Sequence, residues 1–228
     1  ADVTERHGIE AFRAAAAARA ERLSRITAAI ADAVSAREVH AALVDQVAEA
    51  VGASSAALWV VDSDDDATAV LVRAIGYGER ARQQLERLSL RSAPALPIVE
   101  SLRLGTPVFV ADRAELERSF PAAAALATPG RDYEVACVPL VARGRVLGAL
   151  GLTVDEPRES LDLRDFALLV ARYGSQALER LRLFEAQRRA RAEADAAARR
   201  LGLLSRASRA FAAAELDLEA RLVAVVEE

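Results

Sequence analysis

The feature that most constrains the fold is a pair of apolar segments separated by a very short turn. Residues 134–142 and 146–154 are rich in Val, Leu and Ala, and only Arg143-Gly144-Arg145 lies between them. A turn of this length joins antiparallel strands, whereas parallel strands need a crossover of about a dozen residues or more. Residues 56–61 and 68–75 show the same arrangement about an aspartate-rich turn. The sequence therefore predicts an antiparallel sheet that contains two hairpins.

Two glycines interrupt the last of these predicted strands. Gly148 and Gly151 lie inside residues 146–154, where an interior glycine weakens a strand. Such a glycine marks a bulge or a close approach by another element. We therefore expect either a bulge in this strand or a close approach by another element.

Helices and loops are predicted around the hairpins. Gly52 and Gly105 are placed as helix-ending residues, and Pro97 is placed as the first residue of a helix. The predicted elements are helices over 37–51, 79–88 and 97–104, a short strand over 107–110 that leads to Asp112, helical turns over 113–133 with a loop near 128–130, and a loop over 156–160.

The first residues of the chain predict a helix with an apolar seam. Two rows repeat every seven residues, three positions apart, as in a coiled coil. The rows are Ile9, Ala16, Leu23 and Ile30, and Phe12, Arg19, Ile26 and Ala33. This period favours a partner helix over a helix that packs on its own domain.

A second long helix is predicted from Asp162 to about Arg200, since no proline intervenes. Its first part, including Phe166 and Val170, is expected to pack on the sheet. Its second part carries an apolar row with a mean spacing of about 3.5 residues, the coiled-coil period. The row is Leu183, Ala186, Ala190, Ala194, Ala197, Leu201 and Leu204. We expect a parallel homodimer through residues 4–34 and 180–204.

Composition excludes several classes of function. The chain has no Lys, so it has no Walker-type phosphate loop and no Schiff-base lysine. Two His and one Cys are too few for a Cys/His zinc site, and a net charge of -4 favours no nucleic-acid partner. No apolar run reaches the ~18 residues of a membrane span. A single Cys suits a reducing compartment, so we expect a cytoplasmic protein.

The end of the chain repeats part of its start. Leu204-Ser205-Arg206 repeats Leu23-Ser24-Arg25 at an offset of 181 residues, and Ala210-Phe211-Ala212 matches Ala29-Ile30-Ala31 at the same offset. The chain also lacks Met and stops without a helix-ending signal. We therefore expect a fragment of a longer protein, in which a second domain of the same type begins near Leu201.

The order of elements and four motifs resemble the GAF domain. The motifs are Val108 to Asp112, Ala136 to Leu140 followed by Gly144 and by Val146 to Leu150, Phe166 to Leu169 followed by Gln176 to Leu178, and Leu204-Ser205 through Asp217-Leu218-Glu219, which resembles the opening of such a domain. PAS domains share the general architecture. The resemblance implies an α+β fold: an antiparallel sheet of about five to six strands with packed helices, flanked by long N- and C-terminal signalling helices.

This resemblance also divides the chain. It implies an N-terminal linker or coiled-coil helix over 1–34, a GAF domain over 35–183 and a connecting helix over 184–200. The truncated start of a second GAF-like domain follows over 201–228.

The family implies a regulatory, non-enzymatic module that senses a small molecule and passes a signal through its flanking helices. A sensor histidine kinase is the first expectation for the parent protein. The alternatives are a ligand-free dimerisation or spacer domain and the input domain of a phosphatase or a cyclic-dinucleotide enzyme. No cofactor and no metal ligand are identified. The candidate pocket-lining residues are Trp59, Tyr77, Phe109, Asp112, Arg131, Asp132, Tyr133 and Cys137.

Known GAF subtypes can be compared with these residues. The Asn- and Lys-containing motif common among cyclic-nucleotide binders is absent, and Arg131 is the main cation of the expected lining, so cyclic nucleotides should bind weakly. Cys137 has no adjacent His, as a bilin site often has, and is interpreted as a small buried apolar residue. His40 lies off the apolar stripe of its helix and is interpreted as a surface residue rather than a haem ligand. One Cys is too few for a methionine sulfoxide reductase, and Trp59 is equally a core anchor.

Overall fold

The computed structural model describes residues 17, 20–127, 131–155 and 163–226, with side chains as far as residue 206. The predicted loops near 128–130 and over 156–160 lie outside the described residues, as do Ile9, Phe12, Ala16 and Arg19 of the predicted seam. The chain divides into two compact units, Ala1–Leu181 and Arg182–Glu228. The first unit contains the sheet.

The first unit contains both helices and strands, and the last helix continues into the second unit. The helices are α1 (20–32), α2 (Ala36–Ala41), a π-helical segment (Ala42–Gln46), α3 (Val47–Val51), α4 (Glu79–Leu85), α5 (Pro97–Leu104), α6 (Arg113–Ser119), α7 (Pro121–Ala124) and α8 (Leu163–Val226). The strands are β1 (Ser55–Val61), β2 (Thr68–Ile75), β3 (Arg87–Ser89), β4 (Val108–Val110), β5 (Glu134–Ala142) and β6 (Arg145–Val154).

The six strands form one antiparallel sheet in the order β3-β2-β1-β6-β5-β4. Both predicted hairpins are confirmed, as β1–β2 and β5–β6. The pairing of β1 with β6 joins the two hairpins, with Ser55 opposite Thr153. The predicted α+β fold, an antiparallel sheet with packed helices, is therefore correct.

Alternate residues of the central strands face two separate cores. Ala56 and Leu58 belong to the larger core, which includes α1, α2, α3 and the first part of α8. Ala57 and Trp59 belong to a smaller core on the other face, which includes α4 and α5. This alternation is the period-two pattern of a strand whose two faces are both covered. We call the two sides of the sheet the α8 face and the Trp59 face.

The predicted helix over 79–88 is too long. Helix α4 ends at Leu85, and Arg87–Ser89 forms β3, which pairs with Thr68 to Val70 of β2. The strand hydrogen bonds occupy an edge of β2 that a continued helix would leave unpaired. The predicted helices at 37–51 and 97–104 are confirmed, and Gly52 and Gly105 follow them in left-handed conformation.

Helix α8 extends beyond the predicted end near Arg200 and reaches Val226. Gly202 lies within it and does not end it. Residues 203–226 are mostly Ala, Leu, Glu and Arg, which have high helix propensity, so the cost of one interior glycine is offset.

The seam of α1 packs on its own domain. Ile26, Ile30 and Ala33 are buried in the core of the α8 face. The expectation that this half of the seam serves a partner helix is therefore wrong. A single helix gains as much by burying its apolar stripe against its own sheet domain as against a second copy, and spacing alone does not separate the two.

Helix α8 also closes the end of α1. The Arg180 guanidinium donates from Nη2 to the carbonyl oxygens of Ile30 and Ala33, at 3.2 and 2.9 Å. These carbonyls belong to the last turn of a helix, where no intrahelical donor reaches them. A cation at this end also complements the helix dipole. Arg180 therefore ties α1 to the helix that continues into the second unit.

Candidate functional site

A cavity of about 240 Å³ lies on the Trp59 face of the sheet. Its lining comes from β1, β5, β6, α4, α5, α6 and the segments beside them. The main apolar lining residues are Trp59, Leu85, Leu96, Ile98, Leu116, Leu126, Val135, Cys137 and Leu152. The polar ones are Ser54, Ser55, Tyr77, Arg131, Tyr133, Thr153 and Asp155.

Two aromatic rings form one side of the cavity. The Trp59 and Tyr77 rings meet edge to face, with centroids 6.3 Å apart. The Trp59 indole Nε1 donates to the Leu85 carbonyl oxygen at 2.8 Å, so the indole has no donor left for a ligand. Because Trp59 is 1% exposed, its ring anchors the core of this face and bounds the cavity.

Gly76 places Tyr77 at the cavity. Its φ is 74°, and a Cβ built there would lie 2.0 Å from the Ser54 carbonyl oxygen. Only glycine accepts both this backbone conformation and this approach. The end of β2 can thus come within contact distance of the start of β1, which directs Tyr77 into the lining.

Gly151 leaves space beneath the Trp59 ring. A Cβ built on Gly151 would lie 3.4 Å from Trp59 Cζ3, 3.7 Å from Ile98 Cδ1 and 3.8 Å from Cys137 Sγ. Burial raises the pKa of the Cys137 thiol to about 12. Cys137 therefore remains a neutral thiol at neutral pH, as its interpretation as a buried apolar residue predicts.

The ionised groups of the described lining are paired. Arg131 Nη1 lies 2.9 Å from Asp155 Oδ2, and the Ser54 hydroxyl donates to Asp155 Oδ1. Arg131 is largely exposed and Asp155 largely buried. The pair therefore adds no net charge to the cavity.

Two tyrosines supply hydroxyl groups with different surroundings. Burial raises the pKa of Tyr77, the neighbouring Cys137 raises it further, and a hydrogen bond with the Ser55 side chain opposes the shift. Burial likewise raises the pKa of Tyr133. The Tyr133 hydroxyl is enclosed and has no hydrogen-bond partner within the described chain, whereas the Tyr77 hydroxyl lies near Ser55 and Cys137 of the lining. Both hydroxyls stay protonated at neutral pH.

The structure brings together five of the residues that the sequence singled out. Trp59, Tyr77, Arg131, Tyr133 and Cys137 all line the cavity. They come from three stretches of the chain, in β1, after β2 and around the start of β5, so their assembly depends on the pairing of β1 with β2 and with β6 and of β6 with β5.

The other three predicted residues lie elsewhere. Phe109 faces the α8 side, where the Arg164 guanidinium carbon lies 4.5 Å from its ring centroid. Asp112 is the N-cap of α6 and accepts from the Glu115 backbone N–H at 2.7 Å. Asp132 accepts from the Arg113 backbone N–H at 2.9 Å. Phe109 lies on the other face of the sheet because successive strand residues point to opposite faces. Asp112 and Asp132 accept hydrogen bonds from backbone N–H groups and do not line the cavity.

Several lining residues were missed in the sequence. Ser54 and Ser55 precede the first strand, and Thr153 and Asp155 follow the apolar run of the last. Antiparallel pairing of β1 and β6 brings these two ends together. If the pairing of β1 with β6 is assumed, hydroxyl and carboxylate side chains at these strand ends indicate a polar side of the site. The two predicted hairpins do not by themselves require that pairing.

The described residues were compared with the requirements of a metal site and of a membrane-spanning helix. Within them, no group of three or more His, Cys, Asp or Glu side chains is arranged to hold a metal ion. In the same residues, no helix is both long enough and apolar enough to span a membrane.

Comparison with known proteins places this architecture. The GAF domain family model matches residues 33–179. No curated protein sequence matches the chain significantly.

Solved structures share the fold at low identity. The chain is similar to the GAF domain of a phosphoenolpyruvate-protein phosphotransferase from Coxiella burnetii, with 21% identity and a TM-score of 0.58, over 74% of this chain and 96% of that one. A GAF domain from an Acinetobacter phosphoenolpyruvate-protein phosphotransferase gives 19% identity and a TM-score of 0.53, over 72% and 93%. Free methionine-R-sulfoxide reductase from Neisseria meningitidis, solved with its substrate, gives 20% identity and a TM-score of 0.55, over 72% and 90%.

The matched residues 33–179 include the whole sheet and the cavity on its Trp59 face. They make up more than half of the chain. The chain therefore belongs to the GAF domain family.

Proposed function

We propose that the first unit is a regulatory module that binds a small molecule in the cavity on the Trp59 face and acts on other domains through α8. The observation that carries this proposal is the cavity itself, about 240 Å³ in volume and lined by three aromatic side chains and several hydroxyl groups. Apolar surface with a few polar groups is the usual composition of a small-molecule site.

A route from the cavity to α8 passes through the sheet. Cys137 lines the cavity, and its neighbours Ala136 and Val138 face the core that includes Val170 and Leu178 of α8. A ligand that shifts β5 would therefore shift the surface on which α8 packs. The bonds from Arg180 to the end of α1 would carry the same movement to α1.

The proposed module has no catalytic activity of its own. Its single cysteine is buried with a raised pKa, so it lacks the thiolate that a cysteine-based reaction needs. We propose a cytoplasmic signalling protein as the parent, with a sensor histidine kinase first and a phosphatase or cyclic-dinucleotide enzyme next. The repeat of Leu23-Ser24-Arg25 at Leu204 supports a second GAF-like domain from about residue 201.

Native mass spectrometry of freshly purified protein tests the binding proposal. We expect a population that carries one small molecule per chain and loses it on denaturation. Gly151→Val, which adds a side chain beneath Trp59, should fold and purify without that molecule. A chain that never carries a ligand, and that no small molecule stabilises against heat, would contradict the proposal.

A ligand-free dimerisation or spacer module is the second candidate. It is favoured by the exposed apolar residues on the part of α8 in the second unit, including Leu183, Phe184, Leu201 and Leu204. Sedimentation should then give a dimer whose affinity does not change when the cavity is filled. A dimer affinity that depends on ligand would favour the sensing module instead.

A further inference from the structure

The cavity has features that restrict the chemistry of its ligand. We infer that it takes an uncharged, single-ring aromatic molecule whose one hydroxyl or carbonyl oxygen meets the Tyr77 hydroxyl. This inference rests on the proposed binding function and goes beyond it by naming the ligand class.

Volume sets the size of the ligand. An apolar cavity of about 150 Å³ holds benzene, and this cavity measures about 240 Å³. One substituted ring therefore fills it, whereas a cyclic nucleotide, which adds a sugar and a phosphate to a two-ring base, would extend beyond it. Tyr77 is partly exposed and lines the cavity, so its ring gives a single aromatic ring a surface to contact, whereas the Trp59 ring is buried.

Charge balance sets the charge of the ligand. Arg131 and Asp155 are the ionised residues of the described lining, and their side chains already pair at 2.9 Å. An anionic ligand at Arg131 would lie beside the Asp155 carboxylate, and a cationic ligand at Asp155 would lie beside the Arg131 guanidinium, so each would meet a like charge. An uncharged molecule meets neither repulsion and loses no hydration of a charge, so it binds at lower cost.

Hydrogen-bonding capacity sets the position of the oxygen. The Trp59 indole N–H is already bonded to Leu85, and the Tyr133 side chain is packed in a separate small apolar cluster. The Tyr77 hydroxyl lies near Ser55 and Cys137, both of which line the cavity. Because a hydroxyl has one donor and two acceptor lone pairs, Tyr77 can bond to Ser55 and still meet a ligand oxygen.

Three matched probes test the inference: p-cresol, toluene, which lacks the hydroxyl, and 4-methylbenzoate, which replaces it with a carboxylate. Trp59 is the sole tryptophan of the chain and lines the cavity, so its fluorescence reports binding directly. We expect p-cresol to bind about fivefold more tightly than toluene, which corresponds to one neutral hydrogen bond. The carboxylate should bind at least about tenfold more weakly than p-cresol.

Tyr77→Phe isolates the proposed contact. It should reduce p-cresol affinity to that of toluene and leave toluene affinity unchanged, because only the hydroxyl is removed. Tyr173→Phe is the matched control, since Tyr173 lies on α8 with 38% of its surface exposed and outside the lining. It should leave all three affinities as they are.

The outcomes separate this inference from the binding proposal. Equal affinity for p-cresol and toluene, tighter binding of 4-methylbenzoate, or an unchanged preference in Tyr77→Phe would overturn the ligand class while leaving a binding cavity. No response of Trp59 to any of the three probes would overturn the ligand class and also count against the binding function.

Discussion

At the scale of single residues, two buried helix serines differ in whether their hydroxyls are satisfied. The Ser175 hydroxyl donates to the Ala171 carbonyl oxygen at 2.6 Å. The Ser101 hydroxyl on α5 is fully buried and has no hydrogen-bond partner within the described chain. A buried hydroxyl without a partner has lost its hydration without compensation, so Ser101 destabilises the fold.

Ser101→Ala should therefore raise the free energy of unfolding by about 1 kcal/mol, since it removes an unsatisfied group and adds a better helix former. Ser175→Ala is the matched control and should be neutral or destabilising, because it removes a bonded hydroxyl. Urea denaturation of both variants measures the difference. A loss of stability in Ser101→Ala larger than that in Ser175→Ala would show that the Ser101 hydroxyl is satisfied in solution.

The buried thiol makes stability depend on alkaline pH. Burial raises the pKa of Cys137 from 9.0 to about 12, so the folded chain holds the thiol proton more tightly than the unfolded chain does. The contribution is fully present below pH 9 and is lost as pH rises through the interval from 9 to 12. Between pH 8 and pH 10 the free energy of unfolding should fall by about 1 kcal/mol on account of this group.

Cys137→Ala should flatten that decline, whatever it does to stability at pH 7. Tyr77, whose pKa is also raised by burial, should leave a smaller residual slope. Unfolding curves at pH 7, 8, 9 and 10 for both proteins provide the measurement. If the free energy of unfolding fell equally with pH in wild type and Cys137→Ala, the pKa of the thiol would not be raised in the folded chain.

At the scale of elements, the two interior glycines of β6 have different neighbours: backbone atoms at Gly148 and side chains at Gly151. A Cβ on Gly148 would lie 2.2 Å from the Trp59 carbonyl oxygen, whereas a Cβ on Gly151 meets side chains at 3.4 Å or more. Gly148 therefore lets β1 and β6 approach each other, and Gly151 keeps the cavity open. The sequence predicted a bulge or a close approach at these glycines, and the structure shows which atoms lie beside each of them.

This difference predicts opposite outcomes for the same substitution. Gly148→Ala should destabilise the domain by about 2 kcal/mol or more, because backbone must move to admit the methyl group. Gly151→Ala should change stability by less than about 1 kcal/mol but weaken p-cresol binding. Thermal unfolding and Trp59 fluorescence read the two effects. Equal destabilisation by both substitutions would contradict this difference and would show that Trp59 lies too close to Gly151 to admit a methyl group.

The sequence predicted strands better than it predicted helix partners. The apolar segments and the short connections between them predicted the pairing within β1–β2 and β5–β6, because a connection of a few residues cannot cross over to a parallel strand. It did not reveal β3, whose three residues depend on the open edge of β2. Nor could it place Phe109, because in a three-residue strand the face of each side chain is set by the strand beside it.

At the scale of the whole molecule, the two helical seams have different outcomes. Ile26 and Ile30 are buried in their own domain, so Ile26→Asp would unfold that domain and would not test a dimer. In the second unit the described side chains of the apolar row on α8 are exposed, including Leu183, Leu201 and Leu204. The proposed dimer therefore depends on α8.

A pair of alanine substitutions tests that dimer. Ala194 lies in the apolar row, and Ala192, two residues earlier, lies about 200° away around the helix. In a parallel symmetric dimer Ala194→Glu places two carboxylates opposite each other in the seam, so we expect dimer affinity to fall at least about tenfold, or ~1.4 kcal/mol. Ala192→Glu adds the same charge at the same helix propensity on the outer face and should leave the dimer intact.

Sedimentation equilibrium measures the dimer affinity of both variants, and high salt should partly restore the affinity of Ala194→Glu because it screens the repulsion. Equal affinities for the two variants, or a wild-type chain that stays monomeric at high micromolar concentration, would remove the row from the interface.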